Sequence, residues 1–540
     1  MLRRTITLVI VVMLLAISMP TPARADSISD RIAHMTLEER VGQLFIVRFW
    51  GTDANSSVQQ VIDAMHPGGV VLLKENLGDV DQITELTNGL QQLAVVNNGV
   101  PLLITLDQEG GKIQRLRDGF TDLPRSFLIG AITDEALLAD YGAMMGRELR
   151  AVGVNMNLAP VLDLATMPNN PVMSGRMFGD DPAQVSRVTN AIIAGLDRAQ
   201  VVSVGKHFPG HGEATDTHVD YSELDYDLNR LQSTELYPFL HTEAAIIMLA
   251  HITVPALDPS GLPATLSPTM ISYLRAHGYQ GLVMTDAMDM GAIALHYDYD
   301  EAVIRAVEAG EDLILLGAHP DNKTQIGAYE AVLEAVRSGR ITEARINQSV
   351  ERILRLKQAY GLLAWSPLDA AQTADRIAAA GGSALIPQLE AAAVTVARDT
   401  QKMLPLKQEK IGLITLAQYP QMSDLCISAA GHPLDSMKVN GSPVGYQISQ
   451  AAALAKRVDA LIVFTYDAEF TPQQQVLINT LPAEKTVVVA LGSLYDWRTF
   501  PQITSYVTTY SDTTASIEAA CQVVFGKREA SGVLPVRLEK

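Results

Sequence analysis

Cysteine is almost missing from this 540-residue sequence. Cys426 and Cys521 are its only two. That is too few for a disulfide framework, so large apolar cores must carry the fold, and the sequence leaves open whether the two pair. Positive charge is also scarce, with 41 Lys and Arg against 60 Asp and Glu and a net charge of -19. Such a balance repels phosphates at long range and argues against a nucleic-acid partner, the bland reading being colloidal solubility. No G-x-G-x-x-G opens a helix after any candidate strand, which counts against a dinucleotide-binding open sheet. Internal repeats and long low-complexity tracts are absent as well.

The N-terminus reads as a leader. Arg3 and Arg4 precede the apolar run Ile6 to Ile17, and Ala23-Arg24-Ala25 has the A-x-A form of a signal-peptidase site. A retained anchor is the alternative, but the run falls short of the roughly 20 residues that span a bilayer, and Pro20 and Pro22 follow it. The expectation is a signal peptide over 1–25, export to the cell exterior or envelope, and no membrane span after cleavage. No Cys follows the site, so a lipoprotein signal is not supported.

Between residues 41 and 316, short runs rich in Val, Ile and Leu alternate with segments of helical period, the pattern of a parallel α/β fold. The runs are Gly42 to Phe49, Gly69 to Leu73, Leu102 to Leu106, Val154 to Leu158, Val201 to Gly205, Ile246 to Ala250, Leu282 to Thr285 and Leu313 to Leu316. Eight of them predict a (β/α)8 TIM-like barrel. Helices are predicted over Asp134 to Val152, Pro182 to Ala199 and Glu301 to Ala309, with the last barrel helices inside Lys323 to Tyr360. An Ala-rich helical connector, Ala370 to Ala384, places a domain boundary near 375. Beyond it, buried-strand candidates at Lys410 to Leu416, Ala460 to Thr465 and Thr486 to Ala490 predict a smaller α/β domain over 376–540.

A barrel carries its chemistry at the C-terminal ends of its strands. After the third run stand Asp107, Gln108, Glu109, two glycines, Lys112 and Arg115; each charge alone reads equally as a rim salt bridge, whereas the cluster suits a hydroxyl-rich ligand. After the fifth come Lys206-His207-Phe208-Pro209-Gly210-His211-Gly212 and then Asp216 and His218, three histidines within 13 residues. These could ligate a metal such as zinc, but Pro209 and Gly210 prevent the i, i+4 helical pair of an H-E-x-x-H site. The other reading is acid/base chemistry, since a carboxylate two residues from His218 can set its tautomer and favour its protonated form. Asp286 follows the seventh run directly and reads either as a nucleophile or as a helix cap. Asn157, Asp163 and Arg176 add polar groups to the rim, and His251, ending the sixth run, reads either as a hydrogen-bonded histidine beneath it or as a substrate contact.

D-Q-E-G-G-K-I-Q-R at 107–115, K-H-F-P-G-H-G at 206–212, D-T-H at 216–218 and T-D-A-M-D-M at 285–290 together resemble glycoside hydrolase family 3, specifically its bacterial β-N-acetylglucosaminidase branch. The resemblance implies a retaining, exo-acting enzyme that removes terminal β-linked N-acetylglucosamine from peptidoglycan fragments or chitooligosaccharides. In it Asp286 is the nucleophile, His218 with Asp216 is the acid/base pair, and Asp107, Arg115, Arg176, Lys206 and His207 bind the sugar. No cofactor or metal is implied, and a monomer is expected. Alternatives are a family 3 β-glucosidase or xylosidase, whose acid/base Glu would come from the second domain, and a phosphorylase, because a neutral imidazole does not repel phosphate. The chain departs from the family pattern in having Glu213 after the heptapeptide and a link to Asp216 one residue shorter than the common form. The C-terminal domain resembles the family's α/β sandwich through Met403-Leu404-Pro405-Leu406 and Gly532-Val533-Leu534-Pro535-Val536.

Overall fold

The computed structural model describes residues 27–537 apart from Pro168, Asn169, Pro171 and Leu494. The leader expected over 1–25 lies outside the described residues. Each of the eight apolar runs contains a strand: β1 (Phe45–Val47), β2 (Gly69–Val71), β3 (Leu103–Leu106), β4 (Met156–Asn157), β5 (Val202–Phe208), β6 (Ile246–Leu249), β7 (Leu282–Thr285) and β8 (Ile314–Leu315). They pair in parallel in chain order, and β8 returns to β1 with Ile314 opposite Phe45. A bridge between Met284 and Leu313 closes the ring. Every residue of these strands is buried, because side chains fill the barrel on one face and helices cover the other; that is why the runs are apolar throughout rather than alternating.

The helices follow their local signals. Asp134 caps Glu135–Ala151 by accepting from the Ala136 and Leu137 N–H groups. Asp181 and Pro182 start the helix that ends at Arg198. Tyr299–Ala309 begins two residues before its predicted start, behind the cap Asp298. Asn322–Arg337 and Glu343–Ala359 fill the stretch up to Tyr360. No helix among the described residues is long and apolar enough to cross a membrane.

The Ala-rich connector is helical but broken in two, Thr373–Ala379 and Gly382–Ala393. Gly381 between them has φ of 86°, in the left-handed region that glycine enters without a Cβ penalty. Ile377 and Leu389 pack into the barrel core, and Val394 into the second core. The second sheet contains β9 (Thr395–Asp399), β10 (Ile411–Leu416), β11 (Asp435–Val439), β12 (Ala460–Thr465), β13 (Thr486–Ala490) and β14 (Ser505–Thr508), in the order β9-β14-β13-β12-β10-β11. β10, β12 and β13 are the expected buried runs. β9 and β11 are edge strands with mostly solvent-touching residues, and β14 carries Ser505 and Thr508, so none of the three shows an apolar run. β9 runs antiparallel to β14, while the other pairs are parallel.

Cys426 and Cys521 are bonded, joining the helices Met422–Ala430 and Thr514–Val524 on this sheet. The last described segment returns to the barrel. Val533 N–H donates to the Ala131 carbonyl and Asp180 N–H to the Pro535 carbonyl, both at 2.9 Å, and Val536 is buried in the barrel core. The second domain is thereby clasped beside the loop that carries Arg176.

Candidate active site

Asp107 leaves the end of β3, and a buried amide fixes the chain that follows it. Asn157 of β4 accepts from the Gln108 N–H and donates to the Gln108 carbonyl, each at 3.0 Å. Asn157, expected at the rim, is therefore a buried brace: its amide matches the backbone N–H and carbonyl of one residue, acceptor to donor and donor to acceptor. Gln108 likewise turns inward and bonds the backbone of Leu116.

On this frame sits a compact charge network. The Lys206 ammonium lies 2.7 Å from Asp107 and 2.8 Å from Glu109. Arg176 donates to both oxygens of Glu109, at 2.8 and 2.7 Å. Arg115 reaches Asp107 at 3.5 Å from a more exposed position. Burial alone would raise the Asp107 carboxyl, but Lys206 and Arg115 outweigh it and hold the group at about 2. Burial acts on Glu109 in the same sense, and Lys206 and Arg176 overcome it, so Glu109 also stays low. Two ionised carboxylates and their cations are thus held in a fixed arrangement of hydrogen-bond donors and acceptors.

β5 extends to Phe208, beyond the Gly205 end suggested by its apolar run, so Lys206 and His207 lie on the strand itself. His207 Nδ1 is 2.6 Å from Asp163 Oδ2, and the N–H groups of His207 and His211 donate to Asp163 Oδ1 at 3.1 and 2.6 Å. Asp163 therefore aims the imidazole and leaves Nε2 as the nitrogen available to a ligand.

Asp286 stands where β7 ends. Its N–H bonds the Leu249 carbonyl at 2.8 Å, and its Oδ1 accepts from Ala287 N–H at 2.7 Å. The next helix, Gly291–Ala294, is capped at Met290, so Asp286 is not a helix cap. Burial would raise its carboxyl, but His207, His251 and Lys206 together hold it below the ordinary value. His251 spends both nitrogens on structure, Nδ1 with Thr265 Oγ1 and Nε2 with the Ala287 carbonyl, each at 2.9 Å. Burial lowers its pKa, and because the Ala287 carbonyl can only accept, Nε2 is the donor in that bond.

Asp216 Oδ1 lies 2.9 Å from both the N–H and Nδ1 of His218. This pair is the open part of the site, with His218 64% and Asp216 37% exposed. Its loop rests on the segment after Asp286: Gly291 N–H donates to the His218 carbonyl at 3.0 Å and Ala292 N–H to the Thr217 carbonyl at 3.1 Å. A Cβ at residue 291 would lie 2.6 Å from the His218 carbonyl oxygen, so glycine is required for that approach. The start of this loop is held too. Glu213 accepts from Arg230 at 2.9 Å and from the Tyr226 hydroxyl, and Asn170 donates to the carbonyls of His211, Gly212 and Ala214.

His207, His211 and His218 each engage a different partner, Asp163, Thr217 and Asp216. Among the described residues, no three His, Cys, Asp or Glu side chains converge as metal ligands. Lys206 bridges Asp107 and Glu109, Arg176 joins them through Glu109, and Arg115 sits at the edge. Sequence reasoning gave Glu109 and Asp163 no specific role. Glu109 was within reach, two residues from Asp107; Asp163 meets His207 across 44 residues, with no local pattern to reveal it.

Between the domains lies a cleft of about 220 Å³, lined by Arg125 and Phe127 from the barrel and by Asp467, Glu469, Phe470 and Tyr495 opposite. Ser174 and Gly175, next to Arg176, also line it. Burial raises the Asp467 and Glu469 carboxyls and, with their charges, pushes Asp496 beside them up to about 7.

Fold and site define a barrel enzyme with an ionised carboxylate at its mouth and cations arranged around it. Residues 36–356 match the glycosyl hydrolase family 3 N-terminal domain. The chain belongs to glycoside hydrolase family 3. It is similar to the beta-hexosaminidase A of Pseudoalteromonas piscicida, 32% identical over 326 residues, 56% of this chain and 54% of that protein; the match spans about half of that relative's length. The beta-hexosaminidase of Alkalilimnicola ehrlichii is 36% identical over 283 residues, 50% of this chain and 79% of its own. A solved family 3 β-N-acetylglucosaminidase from a Paenibacillus species superposes with a TM-score of 0.72 at 31% identity, covering 93% of this chain and 99% of that one.

Proposed function

We propose that this glycoside hydrolase is an exported, retaining, exo-acting β-N-acetylglucosaminidase. The carrying observation is the Asp216–His218 pair, hydrogen-bonded at 2.9 Å and seated on the segment that follows Asp286. Lys206, Arg176, Arg115, Asp107 and His207 bind the terminal sugar. An Asp286 oxygen attacks the anomeric carbon as the glycosidic C–O bond breaks, and the His218 Nε2 proton passes to the leaving oxygen. His218, now neutral, takes a proton from water, whose oxygen displaces the Asp286 carboxylate and leaves the anomeric configuration unchanged overall. Asp216 supports this by stabilising the imidazolium and holding the tautomer with its proton on Nδ1.

The names of the relatives support the N-acetylglucosamine preference, and the leader-like residues 1–25 support export toward cell-wall fragments or environmental chitooligosaccharides. Nitrophenyl glycosides with and without the N-acetyl group, tested beside Asp286→Ala and His218→Ala, address both claims. Turnover of the N-acetyl sugar, lost in Asp286→Ala, is expected. Full activity of His218→Ala on a poor leaving group would overturn the acid/base assignment, because that substrate depends on protonation.

A second reading, phosphorolysis, draws on the same pair, since a neutral imidazole leaves phosphate free to approach where a second carboxylate would repel it. Sugar 1-phosphate formed in phosphate buffer supports it, and its absence sinks it.

A further inference from the structure

We infer that His211 is a positioning residue for the acid/base loop: its buried imidazole braces Thr217 and thereby sets where His218 stands. The inference rests on the reading of His218 as acid/base. His211 and Thr217 are 2% and 0% exposed, and His211 Nε2 lies 3.1 Å from Thr217 Oγ1. The residues on either side of Thr217 are Asp216 and His218, the exposed pair. Thr217 is thus the point at which an open loop is pinned into the protein, and His211 is the side chain that pins it.

His211 is itself anchored. Its N–H donates to Asp163 Oδ1 at 2.6 Å, the carboxylate that also aims His207, so one group indexes a sugar contact and the brace. Burial, together with His207, pushes the His211 pKa down to about 4, and the ring is neutral wherever the pair could cycle a proton. Nδ1 has no partner among the described residues. An unpaired acceptor is tolerated more readily than an unpaired N–H, which assigns the proton to Nε2 and makes His211 the donor to Thr217 Oγ1. The Thr217 and His218 carbonyls take hydrogen bonds from Ala292 and Gly291. Those bonds fix the loop backbone toward the nucleophile, and the His211 bond fixes its depth.

A loop shifted by a fraction of an ångström weakens proton delivery while the nucleophile stays in place. The test compares His211→Leu and Thr217→Val, which break the bond, with His211→Gln and Thr217→Ser, which can retain it, all checked for folding by thermal melt. On a substrate with a sugar leaving group, such as N,N′-diacetylchitobiose, His211→Leu and Thr217→Val are expected to lose about tenfold to a hundredfold in kcat, and about threefold or less on a dinitrophenyl glycoside, which needs little protonation. The conservative variants should keep most activity on both, and the double variant His211→Leu/Thr217→Val should lose no more than either single one. Equal losses on the two substrates, or a fully active Thr217→Val on N,N′-diacetylchitobiose, overturn the inference. His218→Ala is run alongside. If it also shows no leaving-group dependence, the acid/base reading itself has failed; if it alone shows one, only the brace has.

Discussion

Glu109 takes both prongs of the Arg176 guanidinium, at 2.8 and 2.7 Å, while the Lys206 ammonium sits 2.8 Å from the same carboxylate. Glu109 is 2% and Arg176 11% exposed at the side chain, so each charge depends on the others for the solvation it has lost. Removing one partner of such a set strands the rest. Glu109→Gln should lower stability by roughly 3 kcal/mol and raise KM more than it lowers kcat, because Arg176 and Lys206 lose their alignment. Thermal melts and steady-state kinetics on a nitrophenyl sugar check this, and an unchanged KM would contradict it.

Asp286→Ala should remove turnover for good and poor leaving groups alike, by about four orders of magnitude or more, since no other group replaces a covalent nucleophile. Intact-mass measurement during turnover of a slow substrate should show a glycosyl adduct on the native chain and none on the variant. Native-level turnover by the variant would remove Asp286 from the mechanism.

His211 also predicts a pH dependence of stability. Its folded pKa of about 4 lies below its ordinary 6.5, so between these values the unfolded chain binds a proton that the fold excludes. Stability contributed this way is present above 6.5, falls as pH drops toward 4, and changes no further below it, amounting to about 3 kcal/mol in all. His211→Gln, which does not titrate, should flatten the melting temperature across that window. An unchanged slope in the variant counts against the burial argument.

The Cys426–Cys521 bond closes a separation of 95 residues in the second domain. Loop-closure entropy gives such a bond about 4–5 kcal/mol. Reduction should lower the melting temperature of that domain while the charge network in the barrel stays intact. Calorimetry with and without reductant would show it, and identical traces would rule it out.

The cleft beside Arg176 pairs aromatic rings with carboxylates, the combination that stacks on sugar faces and accepts from their hydroxyls. Phe470, 75% exposed, and Glu469 are expected to hold the leaving sugar. Phe470→Ala and Glu469→Gln should each reduce kcat/KM on chitooligosaccharides by about tenfold, with little change on aryl glycosides. Equal effects on both substrates would place the leaving group elsewhere.

The barrel was legible because a strand buried on both faces must be apolar throughout, and eight such runs leave little else to build. The edge strands β9 and β11 escaped notice because half-exposed strands carry no such mark. At the candidate site, Lys206, His207 and Asp286 stand out in the sequence as polar residues at the ends of apolar runs, and Asp216 with His218 as a carboxylate and histidine two residues apart in the loop that follows. Asn157 misled, since a buried amide bonded to backbone looks the same in sequence as a rim amide awaiting a ligand.

By itself the sequence determined which chemistry is available and the strand ends from which it projects, because periodicity and motif spacing are local properties of the chain. Only the tertiary structure decided how those groups are held. Asp163 meets His207 and His211, Glu109 joins Arg176 to Lys206, and Gly291 receives the loop bearing His218. Each of these contacts joins segments distant along the chain, and barrel closure is what brings them within hydrogen-bonding distance.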